Sequence, residues 1–343
     1  MSGYAPQTPA QIFDMLLAYK KTSMLRSAIE VGVFDTLARG PLDAGAVAGR
    51  LGLAERGVRL LLGGLSALGL LDSDGRTYQL TAGSAGHLVR GRPGYVGDMA
   101  RVMASSWEWE AFGRLAEAVR LGGPVVAEHA ETPRYPYWEQ FAAYAGAVAR
   151  PTAGLAAATL APWAGARPRL DVLDVACGHG LYGYTLAAAQ PHARVWSLDW
   201  PNVLPEARKH AADMGVSDRV ETIAGDMFEV PLGGPYDVVM VTNVLHHFSP
   251  GRGVTLLRRL AAAMAGDGRL VLVGFVTRDG QPPARDAAAH LFSVLMLVWT
   301  SDGEVHSETT YQQMLDAAGF AEGQLYRVPD LPLCVIVADR KGE

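Results

Sequence analysis

The sequence predicts an α/β fold: a parallel sheet covered by helices on both faces, preceded by an all-helical region that ends in a small wing. Three observations point to it. From Leu170 onward, strand-like and helix-like stretches alternate, the pattern of a parallel sheet. Ahead of them, from Thr8 to about Leu88, apolar residues recur at three- and four-residue spacing in short-looped segments. The 343 residues are 49% hydrophobic and 19% charged, ordinary for a globular chain, and length alone implies about two domains.

The N-terminal helices are expected over residues 12–19, 24–37, 44–51 and 56–70, with Gly40 and Pro41 separating the second from the third. A turn at residues 72–75 then joins Leu71 to Tyr78 as a hairpin, which suggests a winged helix. Residues 95–162 read as helical again and carry Trp107, Trp109, Phe112, Tyr135, Tyr137, Trp138, Phe141 and Tyr144, candidates for packing or for an aromatic pocket. Strands are expected over residues 171–175, 195–198, 220–224, 236–241, 268–274, 323–327 and 334–339, with helices over 182–190, 204–214, 253–264 and 310–318. The most apolar stretch, 287–299, reads as a buried helix, because it is well short of the roughly 20 residues that cross a bilayer. Neither a tandem repeat nor a loose linker interrupts the chain.

A net charge of −5 offers no general attraction to nucleic acid or to anionic membranes. Residues 1–100 hold ten Lys or Arg against eight Asp or Glu, and helix 56–70 is Leu-rich with Arg56 and Arg59 as its basic residues. A groove-reading helix needs more phosphate contacts, so a DNA-binding regulator is the lesser reading and a subunit interface the better one. Cys177 and Cys334 make no disulfide framework and no zinc motif, which suits a reducing cytoplasm. Residues 1–25 lack the continuous apolar centre of a signal peptide.

After the first sheet strand comes DVACGHGLYG, in which Gly178, Gly180 and Gly183 satisfy the dinucleotide spacing G-x-G-x-x-G. That match alone is weak. Asp174, four residues before the first glycine, would repel the phosphates of NAD, whereas S-adenosyl-L-methionine offers a sulfonium and an ammonium to a carboxylate there. Asp199 ends the second strand, where a carboxylate can accept both ribose hydroxyls, with Trp200 beside it. Asp226 follows the third strand and suits an adenine amine, with Met227 against the ring. Thr242 and Asn243, after the fourth strand, complete the candidate cofactor residues.

VLDVACGHG (172–180), SLDWPNVL (197–204), AGDMFE (224–229), GGPYDVVMVTNVLHHFSP (233–250), GRLVLV (268–273), TYQQMLDAAGF (310–320) and ERGVRLLLGGLSALGLL (55–71) together resemble the class I S-adenosylmethionine-dependent O-methyltransferases of the plant and acetylserotonin type, especially their bacterial members. The resemblance spans essentially the whole chain. It implies a seven-stranded sheet with an antiparallel last strand. It also implies a homodimer with an N-terminal dimerisation domain whose partner helps to close the pocket. The expected division is residues 1–95 for dimerisation, 96–162 for connecting helices of the substrate pocket, and 163–343 for the catalytic domain.

The fourth strand leads into TNVLHHF, and ligands of open parallel sheets bind at the carboxyl ends of strands. Methyl transfer to oxygen needs a deprotonated hydroxyl, and a group of pKa near 7 can take that proton. The resemblance assigns this role to His246, with His247 following where the family commonly has an acid. The two glutamates that commonly flank the base align with Gly274 and Val305, so His246 is expected to be a weaker base, unless Glu304 substitutes. Trp107, Phe141, Tyr144, Phe292, Met296 and Trp299 are the candidate pocket residues. The expected activity is O-methylation of an aromatic or polyketide-like small molecule, without nucleic-acid or membrane partners. The alternatives are carbon methylation assisted by a metal among His246, His247, His290 and His306, and a homologue that binds the cofactor without methylating.

Overall fold

The computed structural model describes residues 8–328 and 331–341; Met1–Gln7, within the segment tested for a signal peptide, lie outside it. The chain divides into two compact units, residues 1–108 and 109–343.

In the first unit Thr8 and Gln11 form a capping box that starts α1 (Pro9–Leu16), followed by α2 (Ala18–Glu30) and α3 (Val33–Leu37). The expected helix 24–37 is thus two helices. Gly32 takes a left-handed φ of 83°, which ends α2 and redirects the chain. Likewise 12–19 spans the break between α1 and α2 at Leu17. Asp43 caps α4 (Ala44–Leu51), and α5 (Glu55–Ala67) packs Val58, Leu62 and Leu65 into a core with Phe34 and Val47. β1 (Leu71–Ser73) and β2 (Tyr78–Leu80) pair antiparallel as the wing. The Asp74 carboxylate accepts from the Arg76 and Thr77 N–H groups to close its turn. α6 (Ala82–His87) and α7 (Met99–Met103) follow, and α8 (Ser106–Gly113) spans the division between the units.

The second unit continues with α9 (Leu115–Leu121), α10 (Tyr137–Tyr144) and the Ala-rich α11 (Gly146–Ala164). Then come β3 (Leu170–Val175), α12 (Leu181–Ala189), β4 (Ala193–Asp199), α13 (Leu204–Asp213), β5 (Val220–Ala224) and β6 (Tyr236–Thr242). α14 (Pro250–Ala262), β7 (Met264–Phe275), α15 (Ala287–Trp299), α16 (Glu308–Ala317), β8 (Gln324–Arg327) and β9 (Leu333–Asp339) complete it. The sheet order is β5-β4-β3-β6-β7-β9-β8, and the last strand β9 runs antiparallel to both of its neighbours.

Side chains alternate across the strands, so β3 sends Leu170 and Val172 to one core with α11, α12 and α13, and Leu173 and Val175 to the other with α14 and α16. Both faces are covered, which is why the central strands are apolar almost throughout. The strand order reverses between β3 and β6, and at such a switch point the loops after adjacent strands part to leave a crevice. α15 occupies its expected span but is buried on one side: Ala289, Met296, Val298 and Trp299 are covered, while His290 is exposed and Leu291 is 71% exposed.

Candidate active site

The carboxyl ends of β3, β4 and β5 are stitched together by backbone bonds. Cys177 N–H donates to the Leu198 carbonyl at 3.0 Å, and Gly225 N–H to the Asp199 carbonyl at 3.0 Å. Asp199 itself is pinned, one carboxylate oxygen accepting from Gly178 N–H and the other from Trp200 N–H, both at 2.7 Å. Burial still pushes its carboxyl up to about 6.

Asp174 lies fully buried behind it. One of its oxygens accepts from Gly183 N–H at 3.1 Å, and the other, Oδ1, has no hydrogen-bond partner. Burial pushes this carboxyl up to about 7, with the neighbouring Asp199 charge adding to the shift. Gly183 makes the approach possible, since a Cβ there would stand 2.8 Å from Val195 Cγ1 and 3.1 Å from the Asp174 carboxylate. Gly178 has φ 54°, and the space a Cβ would enter is open. Asp226 accepts from Phe228 N–H at 2.8 Å in an Asx turn, with Met227 half-buried beside it.

β3 and β6 both end in left-handed residues, Ala176 at φ 50° and Asn243 at φ 56°. Asparagine tolerates this conformation, whereas alanine pays on the order of 1 kcal/mol, a strain of the kind that collects at functional sites. Asn243 is further held by its N–H on the Val273 carbonyl and its side-chain amide on the Tyr182 hydroxyl, and Thr242 before it is buried.

Three residues on, His246 is 1% exposed and its Nδ1 is buried without a partner. Burial, with His247 and His306 alongside, holds its imidazole well below the ordinary histidine range. Burial takes His247 down to about 4 against the pull of Glu131. His306 Nε2–H donates to the Leu245 and Phe248 carbonyls. Glu304 is exposed and is not among the groups that act on His246, so it does not replace the missing carboxylates. His290 is exposed as well, and among the described residues no three His, Cys, Asp or Glu side chains gather as a metal would require.

Around the two histidines stands an aromatic wall. Phe292 meets His246 edge-on at 4.8 Å between centroids and stacks on Phe275 at 4.1 Å. Trp138 stacks on His247 at 5.5 Å and meets Phe141 and Trp299 edge-on. The wall is latched: Ala130 N–H donates to the Trp299 carbonyl, Trp138 Nε1–H to the Ala130 carbonyl, and Glu131 accepts from Ser301 and Arg252. Of the expected pocket residues, Phe141, Phe292 and Trp299 therefore stand together. Met296 is fully buried, Tyr144 sits half-buried at the end of α10, and Trp107 belongs to the first unit.

Sequence reasoning did not single out Trp138, Phe275, Tyr182 or His179. His179, inside the glycine loop, stacks between Phe141 and Tyr182, and burial takes it down to about 3. Trp138 was visible only as one of many aromatics, and Phe275 had no local signal. A second cleft of about 800 Å³ opens at the opposite, amino-terminal edge of the sheet, where Arg167 is paired with Asp237 and Asp267.

Two family models match the chain, an O-methyltransferase dimerisation domain over residues 13–90 and an O-methyltransferase domain over residues 166–321. The 3-hydroxy-5-methyl-1-naphthoate 3-O-methyltransferase of Streptomyces sahachiroi is 30% identical over 332 residues, 93% of this chain and 91% of that protein. The tetracenomycin polyketide synthesis 8-O-methyl transferase of Streptomyces glaucescens is 30% identical over 92% of each chain. The crystal structure of human N-acetylserotonin methyltransferase in complex with SAM superposes with a TM-score of 0.83 at 26% identity, covering 100% of both chains. The seven-stranded sheet with its antiparallel last strand, the carboxylates at successive strand ends and these likenesses agree: the chain belongs to the acetylserotonin-type family of S-adenosylmethionine-dependent O-methyltransferases.

Proposed function

We propose that this enzyme methylates a hydroxyl of an aromatic or polyketide-like small molecule, with His246 as the base that receives the hydroxyl proton. The observation that carries this reading is the juxtaposition, in one unit, of carboxylates at the ends of β3 and β4 with a histidine set in an aromatic wall at the end of β6. S-adenosylmethionine, when bound, supplies an electrophilic methyl carbon on a sulfonium.

The site fits that group on its own terms. A buried carboxylate oxygen without a partner, Asp174 Oδ1, calls for a donor or a cation. The open space over Gly178 lets a ligand approach the backbone. Asp174, Gly178, Gly180, Asp199, Trp200, Asp226, Met227, Thr242 and Asn243 hold the cofactor, with the Asp199 carboxylate keeping lone pairs for ribose hydroxyls beyond its two backbone bonds.

His246, held neutral by burial, has a lone pair for the acceptor's proton. Trp138, Phe141, Phe292 and Trp299 offer flat apolar surface to an aromatic ring. Residues 109–162, with Tyr144, contribute to the pocket, and His247 lines it. Residues 1–95 form a homodimer in this reading, which the match to a dimerisation domain and the exposed Ile12, Phe13, Met15 and Leu16 of α1 support. The naphthoate and polyketide acceptors in the relatives' names support the substrate class.

The test is incubation of the purified enzyme and S-adenosylmethionine with a panel of hydroxylated naphthoates and polycyclic phenols, read by mass spectrometry. A methyl ether on at least one member is expected. Methylation on carbon or nitrogen alone, or cofactor binding with no transfer, overturns the reading. Light scattering should give twice 36.5 kDa, and a monomer removes the dimer from it.

A further inference from the structure

A histidine that takes a proton is ordinarily helped at its other nitrogen: a carboxylate there accepts Nδ1–H, which presents the Nε2 lone pair, and stabilises the imidazolium that forms. Among the described residues His246 has no such helper, and its Nδ1 is buried without a partner. From its own segment it faces His247, 4.9 Å away between ring centroids, and from α15 the edge of Phe292. From β7 it faces Phe275 and Gly274, whose Cβ, if it had one, would stand 3.6 Å from His246 Nδ1 and 3.3 Å from the Tyr311 hydroxyl of α16. His306, ahead of α16, donates its Nε2–H to backbone carbonyls.

None of these groups is an anion. Burial raises the Tyr311 phenol far above its ordinary range, so it stays protonated. A carboxylate that acts on the pair, Glu131, pulls on His247 and is already bonded to Ser301 and Arg252. An imidazolium at His246 would be a buried cation among neutral rings and two further histidines, and charge without a counter-charge is costly to bury.

We infer that the acceptor brings its own acidity: its reacting hydroxyl is a phenol or enol conjugated to a carbonyl, ionised wholly or largely near neutral pH. This deepens the O-methylation reading and rests on it. An ordinary phenol, with a pKa near 10, is ionised to about one part in a thousand at pH 7, while one with a pKa near 7 is half ionised. The acceptor O–H bond ionises, its proton passing to His246 or directly to water. The oxygen lone pair forms a bond to the methyl carbon, the sulfur–methyl bond breaks with its pair left on sulfur, and a methyl ether and a neutral thioether result.

The experiment takes one accepted ring system with substituents that move its hydroxyl pKa from about 6 to about 10, the range set by ordinary phenols at its upper end. It measures kcat/KM against pH at saturating S-adenosylmethionine. The acidic members' profiles should rise and level off at each acceptor's own pKa, and at pH 7 the most acidic member should be turned over at least about tenfold faster than the ordinary phenol. Profiles that share one midpoint whatever the acceptor, with equal rates at pH 7, overturn the inference and leave O-methylation standing. No methyl ether from any member, with cofactor binding intact, overturns both.

Discussion

The two ends of the active cleft are built on opposite electrostatic principles. Beneath β3 and β4, Asp174 and Asp199 are carboxylates in dry surroundings, held by Gly183, Gly178 and Trp200 N–H groups, and burial raises both. Across the switch point, beyond β6, His246 and His247 are imidazoles in equally dry surroundings, and burial lowers both. The first end stores a cost that a cationic ligand repays. The second is neutral and flat, and it selects by aromatic contact while lending little charge. On the proposed assignment, the comparison teaches that donor and acceptor are recognised by different physics within one cleft: the donor by its charge, the acceptor by its surface and its own acidity.

The largest effect expected is at the neutral end. His246→Ala should reduce turnover of a weakly acidic accepted phenol by about 10²- to 10⁴-fold, the range of general-base assistance, while calorimetry shows cofactor affinity unchanged. A loss of less than about tenfold on that acceptor would mean that the ring only positions it.

Next, at the charged end, Asp199→Ala should weaken cofactor binding by about 10- to 100-fold, because hydrogen bonds to a charged group contribute about 1.5–3 kcal/mol. It also leaves the Gly178 and Trp200 N–H groups without their acceptor. Unaltered affinity would break the contrast between the two ends.

Smaller is a pH effect on affinity. The Asp174 carboxyl, at about 7, is protonated at pH 5.5 and largely ionised at pH 7.5, and only the ionised form attracts a cation. Cofactor affinity should therefore rise about tenfold or more across that window, and Asp174→Asn should flatten it. The sign for folding stability is the reverse. Its folded state keeps this proton to higher pH than the unfolded chain, whose ordinary value is near 3.8, so the group's contribution to stability falls as pH rises from about 4 to about 7. Thermal melts with and without cofactor separate the two trends.

Smallest is Trp138→Ala, which should raise the acceptor KM by about two- to tenfold through lost ring contact of about 0.5–1.5 kcal/mol, with cofactor affinity untouched. An equal loss for the cofactor would mean that the aromatic wall supports both ends alike.

The charged end was legible before any coordinates. Asp174 and Asp199 stand at the carboxyl ends of β3 and β4 and Asp226 just beyond β5, the strands are marked by apolar runs between helical stretches, and the rule that ligands meet the carboxyl ends of a parallel sheet places such residues together. The seven strands appear within a few residues of their expected bounds for the same reason, since periods of 2 and 3.6 are local properties. The N-terminal helices were less legible, because Gly32 breaks a run whose apolar spacing continues across it.

The neutral end was beyond that reading. Trp138 and His247 are 109 residues apart and Gly274 and Tyr311 are 37 apart, and no periodicity links either pair. Sequence determined that a histidine follows β6 and that glycine and valine stand at positions 274 and 305. Tertiary structure decided that Glu304 is exposed, that His306 is committed to backbone carbonyls, and that His246 Nδ1 therefore has no partner. The physical reason is that a side chain's charge state depends on every element packed against it. Such contacts are made by the fold in three dimensions, whereas local order is written along the chain.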